Sequence, residues 1–137
     1  MIEKALVFIK PDGVEKRIVG QIISRFENRG LNLLTVKMMK LTGKLVDEHY
    51  KEHVQKSFYP SLKTYVTSAP VVAMVIEGEG AVAAIRKMVG TTNPAEADAG
   101  TIRGDFALTT AYNIIHASDS TASAEREIKL FFPELVA

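Results

Sequence analysis

One histidine, one glutamate and three cations sit where their side chains could do more than face water. Ala124, Ile128 and Phe131 recur at helical spacing, and Glu127 falls inside the same apolar arc. A carboxylate on a buried side needs a partner. His116 stands just ahead of that segment, in the run Asn113-Ile114-Ile115-His116-Ala117-Ser118-Asp119-Ser120, where the following helix could hold its ring with Glu127. The plainer alternative is a capping segment, in which Asp119 or Ser120 caps the helix and His116 is incidental. Arg86 lies close to Val82 and Val89 on the inward arc of its own segment, where a guanidinium rarely goes unpaired; a salt bridge or a snorkelling stem would also place it there. Arg103 lies between Gly100 and Gly104, where backbone and guanidinium could together approach an anion or merely form a surface loop. Lys10 ends an apolar run just before a turn, a position that suits a functional ammonium or a solvated one.

Two short motifs point elsewhere. Arg103-Gly104-Asp105 spells an adhesion tripeptide, which acts on exposed extracellular loops, and nothing in the chain directs secretion. His49-Tyr50-Lys51-Glu52-His53 matches the H-x-x-E-H pattern of inverted zinc peptidases, and histidines four apart could share a helix face around a metal. A third ligand and a substrate cleft would then have to fit in a very small domain, and chance explains five matched residues better.

The elements that must position these residues follow from apolar periodicity. Residues 5–9 read as a buried strand, ended by a Pro11-Asp12-Gly13 turn. Ile18, Val19, Ile22, Ile23 and Phe26 predict an amphipathic helix that stops at Gly30. Residues 31–41 predict a second strand with partly kept alternation. Residues 42–68 predict two short helices broken near Phe58-Tyr59-Pro60, because proline disfavours helix in the residue before it. Residues 70–77 predict a central strand covered on both faces, since 71–76 are apolar without interruption. Val82, Ile85 and Val89 mark a helix closed by Gly90, residues 113–117 a short strand, and residues 120–132 a last helix ended by Pro133. Residues 91–111 show no clear periodicity, and a loop that long in a compact domain is usually functional or disordered; its Thr, Asn, Arg and Gly content favours function. The order predicts an α/β (α+β sandwich) protein: a ferredoxin-like, split β-α-β antiparallel four-stranded sheet covered by helices.

Composition limits the rest. The 137 residues suit a single domain, 1–137, and 17 Lys+Arg against 16 Asp+Glu leave no global field that would draw nucleic acid, so any anion site must be local. The absence of cysteine removes thiol catalysis, thiolate metal sites and disulfides together. No apolar run approaches the roughly 18 residues of a membrane span, and the first residues lack the order of a secretory signal. A cytoplasmic address with no membrane partner is expected.

Lys10-Pro11-Asp12-Gly13-Val14, the helical run from Gly20 to Glu27, Phe58-Tyr59-Pro60, Thr92-Asn93-Pro94, the run from Gly100 to Phe106 and the His116 segment together resemble the nucleoside diphosphate kinase family along essentially the entire chain. The resemblance implies ping-pong transfer of the terminal phosphate of a nucleoside triphosphate to a nucleoside diphosphate, with His116 as the nucleophile. It implies that Glu127 holds the second ring nitrogen with Ser118 in support, and that Arg86, Thr92 and Arg103 hold the phosphates. Lys10 and Asn113 match residues that contact the sugar hydroxyl region, Lys10 also lying near the transferred phosphate. The resemblance further implies that Tyr50 lies close to His116 and that Phe58 stacks on the base. Mg2+ would arrive with the nucleotide, since no cluster of Asp and Glu surrounds these positions. Other implied partners are further copies of the chain, as a hexamer or alternatively a tetramer; no nucleic acid is required. Non-catalytic nucleotide binding at the same site is the competing reading, which retention of His116 opposes.

Two positions depart from the family pattern. Ala117 follows the histidine where glycine is usual, and would add roughly 1 to 2 kcal/mol of strain if that backbone needed a positive φ; a tolerated change is expected. Ala99 stands where many relatives carry proline, which bears on loop rigidity and subunit contacts.

Overall fold

A computed structural model describes residues 1–135; Val136 and Ala137, the end of the expected 1–137 domain, lie outside the described residues. Alternation along the first strand, β1 (Ile2–Ile9), divides the interior in two. Ala5, Val7 and Ile9 point into one apolar cluster and Leu6 and Phe8 into another. The third strand, β3 (Val71–Glu79), is divided in the same way, with Val72, Met74 and Ile76 on the first side and Val71, Ala73 and Val75 on the second. Both strands are central, as the uninterrupted apolar run 71–76 predicted for β3. The second strand, β2 (Asn32–Met39), and the fourth, β4 (Ile115–Ala117), complete an antiparallel sheet of order β2-β3-β1-β4.

The helices cover both faces. On the first, α2 (Val19–Asn28) contributes Ile22 and Phe26, and α5 (Ala81–Val89) contributes Val82, Ile85 and Val89. On the second, α3 (Gly43–His49) and α4 (Tyr59–Thr67) pack beside α7 (Thr121–Phe131) through Val46, Val66, Ile128 and Phe131. The sandwich and its four antiparallel strands are those expected.

Several local expectations are corrected. Pro11-Asp12-Gly13 is not a turn but opens a short helix, α1 (Pro11–Glu15); proline's fixed φ is pre-organised for a helix start, and there its missing N–H is no loss. Gly13 is needed there for room, since a Cβ would lie 2.5 Å from Ile9 Cγ2. The break in the 42–68 segment lies before the proline: residues 50–58 are turns, and Pro60 sits in the first turn of α4. The stretch 91–111 is not irregular throughout, because it holds a 3-10 turn, Pro94–Glu96, and a short helix, α6 (Ile102–Phe106). Thr101 caps α6 by accepting the Gly104 N–H, and Gly104 passes so close to the Asp98 carbonyl that any Cβ would collide with it. Arg25 ties α2 to this segment through the Gly100 carbonyl at 3.1 Å and Asp105 at 2.6 Å.

The strand expected over 113–117 begins only at Ile115, because Ile114 has φ 74°, a left-handed conformation that a β-branched residue rarely adopts. It is held from both sides: its N–H donates to Asp12 Oδ2 at 3.0 Å and its carbonyl accepts the Lys10 N–H at 2.7 Å. Ala117, by contrast, is an ordinary β4 residue opposite Val7 with no positive φ, so the conditional strain does not arise.

Candidate active site

Lys10 leaves the end of β1, Asn113 precedes β4, and His116 sits in the middle of β4 opposite Phe8, so the sheet itself brings three separated residues to one edge. They open into a cavity of about 770 Å³ that is also lined by Tyr50, Phe58, Arg86, Thr92, Arg103 and Glu127. Ser118 lies just behind it, 1% exposed.

His116 is fixed on three sides. Its Nε2 is 3.0 Å from Glu127 Oε1, its ring stacks on Phe8 at 5.0 Å, and the His49 ring meets it edge-on at 4.5 Å. Glu127 is itself held: the Ser118 hydroxyl is 2.8 Å from the same Oε1 and also accepts the Leu6 N–H. The inward arc of α7 therefore places the carboxylate where the sequence put it, and Ser120, capping α7 through the Ser123 N–H, fixes the helix start. His116 is thus paired with Glu127, and the Ser120 cap offered as the alternative is present as well.

The cations form the other wall. Lys10 Nζ donates to Asn113 Oδ1 at 2.8 Å, and Asn113 Nδ2 donates to the Thr92 carbonyl at 3.1 Å. Arg103 is 4% exposed, a residue of α6 and no surface loop; it donates to the carbonyls of Gly90, Asn113 and Ile115 at 3.0, 3.3 and 2.7 Å. Three of its five N–H donors are spent on the backbone. Arg86 reaches the Ala117 carbonyl at 3.2 Å, so its inward direction is neither a snorkelling stem nor a salt bridge.

Crowding like charges in a partly dry site shifts proton affinities in a consistent direction. Burial, then the nearby Arg103, lowers Lys10 to about 8, with Asp12 partly opposing. Burial and Arg86 bring Arg103 to about 10. His116 falls to about 3 through burial and then the fields of Lys10, Arg103 and Arg86. Its imidazole is thus neutral across the physiological range. Burial raises Glu127, while His49, the Ser118 hydroxyl and Arg126 work against that rise.

Tyr50 touches His49 at 4.4 Å between centroids and comes near His116 through that ring. Phe58 is half-exposed at the cavity mouth beside His53. The histidine motif at 49–53 does not form the face that a zinc peptidase needs: α3 ends at His49, and the His53 N–H closes a turn on the Tyr50 carbonyl. Donor atoms of His49, His116 and Glu127 do lie within 4.8 Å of one another. Lys10, Arg103 and Arg86, which add to burial in lowering His116, also repel a dication there, and Glu127 Oε1 already serves two partners.

Several lining residues escaped the sequence reading as site residues, among them His49, Tyr65 and Tyr112. His49 appeared only as half of a zinc pattern, whereas its burial on Phe8, Phe131 and His116 is a tertiary fact.

Comparison with known proteins agrees with this geometry. The sequence model described as nucleoside diphosphate kinase matches residues 3–136. The chain is 62% identical over 133 residues to a nucleoside diphosphate kinase of Methanothermobacter thermautotrophicus, covering 97% of this chain and 89% of the relative. It is 55% identical to that of Methanocaldococcus jannaschii, covering 98% and 96% respectively. A solved halophilic nucleoside diphosphate kinase from Halobacterium salinarum, in complex with CDP, superposes with a TM-score of 0.94 at 42% identity, covering 96% of this chain and 88% of that one. A neutral histidine locked to a buried glutamate among cations, in this sheet and with these relatives, leaves one assignment: the chain belongs to the nucleoside diphosphate kinase family.

Proposed function

We propose that His116 carries the phosphoryl group in a ping-pong exchange between nucleoside triphosphates and nucleoside diphosphates. The observation that carries the reading is the 3.0 Å contact of His116 Nε2 with Glu127 at the cationic end of the cavity. An ionised Glu127 accepts a hydrogen bond from Nε2–H, which fixes the neutral tautomer with its lone pair on Nδ1. That lone pair attacks the terminal phosphorus, the bond from phosphorus to the bridging oxygen breaks, and the nucleoside diphosphate leaves. The reverse step delivers the phosphoryl group to a second diphosphate, and the ring regains its lone pair. As Nδ1 bonds to phosphorus the ring gains positive charge, and Glu127, kept in place by Ser118, stabilises it. Tyr50, through the edge of His49, limits the tilt of the ring.

Phosphoryl transfer depends on positioning and charge neutralisation more than on covalent chemistry. Arg86, Thr92 and the two unspent N–H groups of Arg103 face the phosphates, and the Lys10–Asn113 pair meets the sugar hydroxyls, with Lys10 also within reach of the moving group. Phe58 offers a π-face to any base, which supports broad acceptance of purines and pyrimidines. Mg2+ enters as part of the nucleotide substrate, neutralising phosphate charge when bound. The carboxylates lining the cavity are Glu52, Asp119 and Glu127, and the last is already engaged, so the donor set fits an ion held mainly by phosphate oxygens and water. The CDP of the halophilic relative supports nucleotide occupancy of this cavity.

Residues 1–137 act as one domain that self-associates, as a hexamer or alternatively a tetramer. Supporting self-association, β2 is an edge strand that exposes Leu34, Val36 and Met38. No helix among the described residues is long and apolar enough to cross a membrane; a cytoplasmic address is part of the same proposal. A coupled assay with ATP, magnesium and several nucleoside diphosphates tests the activity. Turnover with every acceptor is expected, and no turnover with any of them overturns it.

A further inference from the structure

Arg126 precedes Glu127 in α7 and has no part in the steps above. Successive helix residues point about 100° apart, so the glutamate turns inward to His116 while the arginine reaches sideways to α3. There its guanidinium donates to the Glu48 carbonyl at 3.1 Å and to the His49 carbonyl at 3.3 Å. Both carbonyls belong to the last turn of α3, where a helix leaves its own acceptors unpaired, and a cation there also meets the negative end of the helix dipole. This anchor matters because His49 has few others. Its ring packs against Phe8, Tyr50, Phe131 and His116, and its Nδ1 is buried with no hydrogen-bond partner among the described residues. The place of that ring is therefore set by its backbone, which Arg126 ties to α7.

We infer, resting on the phosphohistidine reading above, that Arg126 is a positioning residue for phosphoryl transfer, one that acts through His49 and Glu127 and not on the nucleotide. Two effects converge on the same imidazole. Through the end of α3, Arg126 keeps the edge of His49 against the His116 ring. Through space, its charge favours the ionised form of Glu127, the form that accepts the hydrogen bond from Nε2–H. The groups facing this carboxylate are His49 and Tyr50 from the end of α3, His116, Ser118 and Asp119 from β4 and the turn after it, and Arg126 from its own helix. Burial lowers both histidines well below the ordinary imidazole value, so neither carries charge at physiological pH, and burial keeps the Tyr50 phenol protonated. Asp119 works against ionisation, and Ser118 supports it with a hydrogen bond. Of these groups Arg126 alone is a cation. Lys10, Arg103 and Arg86 act on the His116 ring.

Steady-state kinetics across the acid and neutral range decides the matter for the wild type, Arg126→Lys, Arg126→Gln, Arg126→Met, Glu127→Gln and the pair Arg126→Gln with Glu127→Gln, with the solution size of each measured alongside. Arg126→Gln and Arg126→Met are expected to lower kcat roughly three- to tenfold at neutral pH with KM held within about twofold. Both should also move the acid limb of kcat to higher pH, because an uncharged neighbour no longer favours the carboxylate. Arg126→Lys keeps the charge and should keep the wild-type pH profile. Arg126→Gln still offers an amide N–H to the α3 carbonyls, so it isolates the loss of charge even if Arg126→Met folds poorly. In the Glu127→Gln background the acid shift should vanish. The inference is overturned by an unchanged kcat, by a fall in kcat with the pH profile unmoved or only with a change in assembly size, or by a rise in KM with kcat held. An equal shift in Arg126→Lys, or a shift that survives Glu127→Gln, overturns it as well. A wild type without turnover removes the phosphohistidine reading itself, whereas an active wild type with unaltered Arg126 variants removes only the role of Arg126.

Discussion

The floor of the cavity and its mouth are built on opposite terms. At the floor, Lys10, Asn113, Arg103, Glu127 and Ser118 are all buried, and each side chain has a partner on a different element. At the mouth, Phe58 and Tyr112 are more than half exposed and are held by ring contacts. The difference follows from what each end must recognise. A moving phosphoryl group has one geometry and much charge, so fixed donors and a fixed imidazole serve it. Bases differ in their edges but share a π-face, so apolar rings serve them all. Substitutions at the floor should therefore change kcat, and substitutions at the mouth KM.

Glu127→Gln presses hardest on that division. The amide keeps the shape but no longer dictates which ring nitrogen carries the proton, and kcat should fall roughly a hundredfold with little change in KM. A fall confined to KM would show that the carboxylate holds nucleotide and not the ring.

The pH profile of kcat/KM for the free enzyme comes next. Because His116 is lowered to about 3, no acid limb should appear near 6.5, the ordinary imidazole value, once the ionisation of the nucleotide is allowed for. Lys10, lowered to about 8, loses its charge as pH rises through that value, so an alkaline limb should begin near 8 and approach tenfold per pH unit. Bound phosphates favour the ammonium and should move the corresponding limb of kcat to higher pH. An acid limb at 6.5 would mean that burial and the neighbouring cations do not lower the ring's proton affinity.

Phe58→Ala should have the smallest effect, a rise in KM of roughly five- to tenfold that is similar for all bases, with kcat held. A drop in kcat of comparable size would erase the contrast between mouth and floor.

Much of the floor could be read from residue spacing. Glu127 breaks the apolar arc of α7 and Arg86 that of α5, and both breaks mark side chains turned inward by regular helices. The uninterrupted run 71–76 likewise identifies a strand buried on both faces. What escaped depends on contacts between distant segments. Pro11-Asp12-Gly13 reads as a turn because its local chemistry permits one, and only the closeness of Ile9 and Ile114 to Gly13 shows the helix's demand for room. Ile114 has no local reason to leave the β region; Asp12 and Lys10, far away in the chain, hold it there. Arg103 reads as a loop residue because α6 is only five residues long, too short for a periodic signal. The partners of Tyr112 and His49 come from other elements altogether.

The central claim is that His116 carries the phosphate. It is tested most directly by brief exposure to ATP and magnesium, followed by mass mapping under conditions that preserve a phosphorus–nitrogen bond. The account predicts a single acid-labile phosphoryl group on His116, discharged by any nucleoside diphosphate. Phosphate on another side chain, or full turnover by His116→Asn, would contradict it.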